Sequence, residues 1–183
     1  MSVRRRTVLA VLTSVLTLTV VGFAPPPALA GAGTAAPLPC LLPPLLAPVL
    51  DRFREPPCEY CAGNRGIELG PAAGTPVAAG ADGRVTFSGR VAGIRYVVVE
   101  HADGFRTTYG RLAGAAVAVG QHVGGGETIG TSTDRLFFGL RHHDRYLDPA
   151  RALATVRSRP QLVPLDGRHR RPPRTSVVSC PGE

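Results

Sequence analysis

The chain has 183 residues, 44% of them hydrophobic, which is enough for one domain of ordinary size and excludes a disordered protein. The formal net charge is +8, and every one of the 21 basic residues is arginine. Alanine, glycine and proline are also abundant, so this bias is typical of genomic coding rather than of a nucleic-acid surface, and we expect no nucleic-acid partner.

The N-terminus carries the pattern of an export signal. Three arginines at positions 4–6 precede an apolar run over residues 7–24, and three prolines and a small-residue cleavage site ending at Ala30 follow. This pattern predicts a signal peptide over residues 1–30 and a secreted or cell-envelope location. An uncleaved membrane anchor is the alternative, because the run is nearly long enough to span a bilayer. Cleavage would remove the three arginines and lower the charge from +8 to +5.

Four cysteines in an exported chain favour disulfides over metal ligands or reactive thiols. Three pairings are possible. Cys58 and Cys61 have the spacing of a redox or zinc-knuckle pair, but no second such pair follows them. We favour a bond between these two, and a second bond in which Cys40 and Cys180 join the two ends of the domain.

Composition divides the exported chain into three parts. Residues 31–57 form a proline- and leucine-rich segment, in which residues 44–50 indicate a packed strap or a short helix. Residues 58–156 form the main domain, and residues 157–183 form a basic, proline-rich tail. The tail is predicted either to contact an anionic polymer or to be a solvated disordered segment.

Short β-like runs bounded by glycines fill most of the main domain. They cover residues 76–79, 83–91, 94–101, 105–109, 115–119, 127–129 and 135–141. Turn signals at Gly93 and at Asp103-Gly104 have hairpin spacing, so the pattern predicts an antiparallel all-β fold. Only residues 148–156 predict a helix, with Asp148 as its cap and Pro149 at its first position.

Seven segments of this domain follow one another in a recognisable order. They are the loop 64–69, the turn Gly74-Thr75-Pro76-Val77, the segments 81–89, 99–104, 107–112 and 135–140, and the closing Tyr146-Leu147-Asp148-Pro149. In that order they resemble the motifs of the lysostaphin-type, or LytM-like, family of zinc murein endopeptidases. The resemblance covers about residues 61–149. It implies a small antiparallel β-sheet with a barrel-sandwich-like core and a short C-terminal helix.

The residues that do the family's chemistry are all different here. Active members bind zinc with a histidine, an aspartate four residues later and the second histidine of an H-x-H pair, and two further histidines assist catalysis. By the resemblance, the zinc-ligand positions fall at Asn64, Glu68 and Phe137, and the catalytic histidine positions fall at Arg111 and Arg135. Phenylalanine has no lone pair, one carboxylate does not hold zinc, and guanidinium does not deprotonate. We expect neither bound zinc nor hydrolysis.

The altered residues suggest a replacement for the metal site. Glu68, Arg111 and Arg135 are predicted to converge, either in an ion pair with Phe137 filling the vacated space or as a carboxylate-binding site. With Tyr109 they are the candidates for a binding groove. A relocated zinc site that uses Glu68, Glu100 and one histidine is the alternative. His101 stands where family members carry a non-ligating histidine, so we expect it to be structural.

The sequence therefore predicts an exported, inactive LytM-like domain that binds peptidoglycan or regulates a cell-wall hydrolase, with the basic tail as a further contact for anionic wall polymer. No cofactor is expected. An active zinc endopeptidase that cleaves peptidoglycan cross-bridges through a non-standard site is one alternative, with zinc as its cofactor. A disulfide-bonded surface scaffold is the other.

Overall fold

The computed structural model describes residues 37–158 and 176–181. Its strands are β1 (Val49–Asp51), β2 (Ile67–Leu69), β3 (Pro76–Ala78), β4 (Gly83–Val91), β5 (Ile94–Glu100), β6 (Phe105–Ala115), β7 (His122–Val123), β8 (Thr128–His142), β9 (Arg145–Leu147), β10 (Thr155–Ser158) and β11 (Ser176–Ser179). Two short 3-10 turns cover Ala102–Gly104 and Pro149–Arg151. The predicted signal peptide and most of the predicted tail lie outside the described residues.

Nine strands form one antiparallel sheet, and β10 and β11 form a separate pair. The sheet order is β1-β2-β8-β6-β5-β4-β7, and β3 and β9 also pair with β8. The long strand β8 therefore contacts four others and organises the sheet. This architecture confirms the all-β class predicted from the glycine-bounded runs.

Strict alternation separates a core face of the sheet from an outer face. On β6, Phe105, Thr107 and Tyr109 are buried, and they meet buried valines of β5 and buried Leu136, Phe138 and Leu140 of β8. The residues between them point to the opposite side. We call that side the outer face, and it carries the candidate site.

Two strand predictions over the second half of the domain are wrong. Residues 116–119 are not a strand, because the chain turns here and the Ala118 amide donates to the Gln121 side chain. The runs 127–129 and 135–141 belong to the single strand β8. Its middle, Gly130 to Asp134, has loop-like residues, but it pairs with β3 and the end of β6, and Ser132 is fully buried.

The predicted helix over residues 148–156 is also wrong. Asp148 does cap a turn, since its carboxylate accepts from the Ala150 amide, but the turn ends at Arg151. Backbone groups of Ala152 and Ala154 are bonded to Leu41 instead, at 2.9 and 2.7 Å, and the chain then enters β10. Pairing with the N-terminal segment thus replaces the helix that local propensity favours.

The N-terminal segment is a strap across the core rather than a helix. Leu41 is fully buried, the Leu42 amide donates to the Gly80 carbonyl, and the segment ends in β1, which pairs with β2. Disulfides join Cys40 to Cys180 and Cys58 to Cys61, which is the pairing we favoured from the sequence. The first bond fastens the strap to the strand pair β10–β11.

Candidate functional site

Three neighbouring strands bring one carboxylate and two guanidinium groups together on the outer face. Glu68 lies on β2, and Arg135 and Arg111 lie on β8 and β6. Glu68 Oε1 accepts from Arg111 Nη2 at 3.2 Å, and its Oε2 accepts from Arg135 Nη1 at 3.0 Å. The Glu68 side chain is only 14% exposed, whereas the arginines are about half exposed. We call these three residues the Glu68 cluster.

The backbone of β6 is distorted where it supplies Arg111. The pairing register with β8 shifts between Gly110 and Leu112, and Arg111 has a φ of 61°, in the left-handed region that few non-glycine residues adopt. A bulge of this kind interrupts the alternation of a strand and re-aims a side chain. At this bulge the Arg111 side chain extends across β8 and contacts Glu68 on β2. Thr133 Oγ1 stabilises the distorted strand by donating to the Arg111 carbonyl.

Asn64, which the motif resemblance assigns to the first zinc-ligand position, is engaged in its own loop. Its side-chain Nδ2 donates to the Arg52 carbonyl at 3.0 Å, and its Oδ1 accepts from the Gly66 amide at 3.3 Å. Both polar ends of the amide are therefore used to hold the loop that leads into β2. Asparagine at this position has a structural role.

Phe137, which the motif resemblance assigns to the third zinc-ligand position, is the cross-strand partner of Glu68. Its ring lies over two glycines: a Cβ at Gly66 would stand 2.7 Å from Phe137 Cζ, and one at Gly139 would stand 3.1 Å from Cε1. The ring therefore extends along the outer face beside Glu68 and fits because neither neighbour has a side chain.

The donor set at these positions does not suit zinc. Phe137 offers no donor, the Asn64 amide is satisfied by backbone groups, and both oxygens of Glu68 are held by cations. Among the described residues, no group of three or more His, Cys, Asp or Glu side chains is placed to hold a metal ion. Glu68 and Glu100 lie three strand spacings apart, roughly 14 Å, so they cannot share the relocated site considered above.

Tyr109 is a core residue and not part of a groove, which corrects the prediction. Its side chain points into the core on the same side of β6 as Phe105 and Thr107, and it is fully buried. Its hydroxyl oxygen accepts from the Gly80 amide at 2.7 Å. Burial raises the pKa of its hydroxyl to about 12. The adjacent Gly110 occupies the outer face instead, and its missing side chain leaves room for the Tyr96 ring.

His101 is tied into the structure through both ring nitrogens. Its Nδ1 lies 2.8 Å from the Asp82 carbonyl, which can only accept, so Nδ1 carries the proton. Its Nε2 lies 2.7 Å from Thr107 Oγ1. Burial lowers the pKa of His101, which favours this neutral form. The geometry agrees with the structural role that we expected.

A groove of about 420 Å³ opens on the outer face beside the Glu68 cluster. Its floor includes Phe87, Val98, Thr108 and Phe137, and its rim carries Arg65, Arg106, Arg141 and Tyr146. Arg106 binds Glu100 at 2.7 Å, and the guanidinium groups of Arg65 and Arg141 lie within 6.0 Å of the Tyr146 ring centroid. None of the described lining residues is acidic. We call this the outer-face groove.

The family assignment follows from a comparison with family models. The model of peptidase family M23 matches residues 62–149, which contain β2 to β9 and the Glu68 cluster. These residues form an M23 domain. The lysostaphin-type resemblance is therefore confirmed, whereas the assignment of the five metal and catalytic positions stays a prediction from the motifs. A search of curated proteins found no match.

Solved structures share the fold of the M23 domain. Csd3 from Helicobacter pylori is 23% identical over 64% of this chain, with a TM-score of 0.57, and this chain covers 35% of Csd3. The catalytic domain of lysostaphin from Staphylococcus simulans is 21% identical over 57% of this chain and 90% of that domain, with a TM-score of 0.50. A chain of the SpoIIQ–SpoIIIAH pore-forming complex is 20% identical over 64% of this chain and 92% of its own length, with a TM-score of 0.55.

Sequence reasoning missed the residues that line the outer-face groove. Phe87 and Val98 are cross-strand partners, and Thr108 continues the same row on β6. The alternation of side chains along β6 could have identified the groove residues, because it places Thr108 and Gly110 on one face of the sheet and Tyr109 on the other. A register shift between Val85 and Phe87 hides the same signal in β4.

Proposed function

We propose that this chain is an exported, non-catalytic M23 domain that binds the peptide part of peptidoglycan. The Glu68 cluster carries the proposal. The Glu68 carboxylate is held by two arginines, Arg111 and Arg135. By the motif resemblance, Glu68 stands at the family's aspartate position and the arginines stand at the positions of the two catalytic histidines. A guanidinium group cannot act as a base, so neither arginine can do the proton transfer of a catalytic histidine.

An extracytoplasmic location is supported by the chemistry of the cysteines. Both pairs in the described residues are disulfides, and disulfides persist in oxidising compartments outside the cytoplasm. The predicted signal over residues 1–30 agrees with this location. No helix in the described ranges is long and apolar enough to cross a membrane.

The outer-face groove supports a peptide ligand. Its floor is formed by apolar side chains and Thr108, so it can accept short aliphatic side chains, and its rim arginines can pair with carboxylates. Peptidoglycan stem peptides combine small aliphatic residues with free carboxylates. The charge of the groove is complementary to such a ligand, because no acidic residue lines it among those described.

The test is co-sedimentation of the full chain with purified peptidoglycan sacculi. Thr108 lies at the floor of the groove and is partly exposed, so Thr108→Glu places a carboxylate among the rim arginines. We expect this variant to be retained roughly tenfold more weakly, because the added charge repels the ligand's carboxylates and pairs with the rim. Thr155→Glu, at an exposed position of β10, is the matched control and should be retained like wild type.

Equal retention of the Thr108→Glu variant would remove the groove from the binding site. Failure of the wild-type chain to sediment would overturn peptidoglycan binding and leave the scaffold or the hydrolase-regulator alternative. Release of soluble peptide fragments by the wild-type chain would establish the endopeptidase alternative.

A further inference from the structure

A second concavity adjoins the Glu68 cluster and is distinct from the outer-face groove. It has a volume of about 320 Å³, and four arginines line it: Arg90, Arg95, Arg111 and Arg135. The outer-face groove and this concavity have no lining residue in common. We call it the arginine cleft.

Two of these arginines face each other across a hairpin. Arg90 on β4 and Arg95 on β5 are direct cross-strand partners next to the turn at Ala92 and Gly93, both of which have positive φ. Like charges at directly opposed positions of an antiparallel pair destabilise it. Arg90 is held in this place by donating to the Gly93 carbonyl at 2.8 Å, so the repulsion is built into the folded hairpin.

The positive charge of the cleft is only partly balanced. Asp134 is the acidic residue among the described lining, and Glu68 binds Arg111 and Arg135 from the side. Four guanidinium groups against these two carboxylates leave two positive charges in excess. The Nε of Arg95 is buried and has no hydrogen-bond partner within the described residues. A buried donor of this kind is destabilising until an acceptor reaches it.

The set of donors favours phosphate over carboxylate. The four arginines come from four adjacent strands, β4, β5, β6 and β8, so the cleft offers four separate guanidinium groups rather than one fork. A planar carboxylate matches one guanidinium fork in its own plane, whereas the tetrahedral oxygens of a phosphate accept from several directions. No aromatic side chain is among the described lining residues, so the cleft offers no surface for stacking nucleic-acid bases.

We infer that the arginine cleft is an anion site for a phosphodiester polymer without bases, such as a glycerol phosphate chain of a cell wall. The ligand would offset the Arg90–Arg95 repulsion. This site is separate from the peptide groove, and its test does not depend on peptidoglycan binding.

The test uses soluble poly(glycerol phosphate) and the full chain at physiological ionic strength, with binding measured by calorimetry. The double variant Arg90→Gln/Arg95→Gln should bind roughly tenfold or more weakly, since it removes half of the guanidinium groups. It leaves the Glu68 cluster intact, and thermal unfolding should show a folded domain. The matched control, Arg168→Gln/Arg170→Gln, removes the same charge from the basic tail and should bind like wild type.

Each remaining outcome counts against the site. Weaker binding only in the tail variant, or equal losses in both variants, would mean general attraction to basic residues. Equal affinity of the wild-type chain for polyglutamate would overturn the preference for phosphate, and equal affinity for oligodeoxythymidine would overturn the restriction to chains without bases. Unchanged binding of the cleft variant would overturn the inference itself.

Discussion

Replacing Glu68 by glutamine is expected to lower the free energy of unfolding by about 1–3 kcal/mol, because a charged hydrogen-bond acceptor in a mostly buried position is lost. The Glu68 side chain is 14% exposed, and both of its oxygens accept from arginines. Glutamine keeps the shape but leaves Arg111 and Arg135 facing each other without a compensating charge. Urea unfolding at constant pH and ionic strength measures the loss.

Glu100→Gln is the matched control for this substitution. Glu100 also accepts from an arginine, Arg106, at 2.7 Å, but its side chain is 39% exposed and that pair is screened by solvent. Exposed ion pairs contribute about 0–1 kcal/mol. Similar losses in the two variants, or no loss in the Glu68 variant, would contradict the structural importance of the Glu68 cluster.

Removing the disulfide between Cys40 and Cys180 is expected to have the largest effect on stability. The bond spans a sequence separation of 140, so a variant with serine at both positions should lose about 4–5 kcal/mol in the chain-entropy model. It should also release the strap that carries buried Leu41 from the strand pair β10–β11. The measurement is again urea unfolding, followed in parallel by far-UV circular dichroism.

The second disulfide provides the comparison. Cys58 and Cys61 are three residues apart, and closing so short a loop stabilises by about 2 kcal/mol in the same model. Serine at both positions should therefore cost about half of what the first pair costs, or less. A lower free energy of unfolding for the Cys58/Cys61 variant than for the Cys40/Cys180 variant would contradict this order. The loop before β2 would then stabilise the fold by more than the chain-entropy model predicts.

The family could be predicted from the sequence, because the order of its motifs depends on residue identity at fixed spacing, and the loss of the zinc site stays a prediction. The convergence of Arg111 and Arg135 on Glu68 was predicted on the same basis. What could not be predicted is the bulge at Arg111, since the left-handed backbone and the shifted register come from pairing with β8.

Other features depend on long-range pairing, which local patterns do not report. The loop-like middle of β8 becomes a strand because β3 and β6 cover it, and the predicted C-terminal helix is replaced by bonds to Leu41. Tyr109 was assigned to the groove from its motif alone. Its even spacing from Phe105 and Thr107 on the same strand would have placed it in the core.

The position of the arginine cleft is also a consequence of register. Arg90 and Arg95 are ordinary surface residues in the sequence, and only the two-residue turn between Val91 and Ile94 makes them partners. The same turn brings them beside Arg111 and Arg135. Arginine side chains therefore surround Glu68 and line the adjoining cleft. We propose a peptide groove on one side of this region and a phosphate site on the other.

The central claim is that an M23 domain has been retained here without its metal, and metal content tests it most directly. The full chain should be equilibrated with excess zinc at neutral pH, desalted, and analysed for zinc per chain by mass spectrometry. We predict zinc far below one equivalent, because Asn64, Glu68 and Phe137 do not provide a ligand set. One equivalent of zinc that survives desalting, and that is lost in the Glu68→Gln variant, would contradict the account.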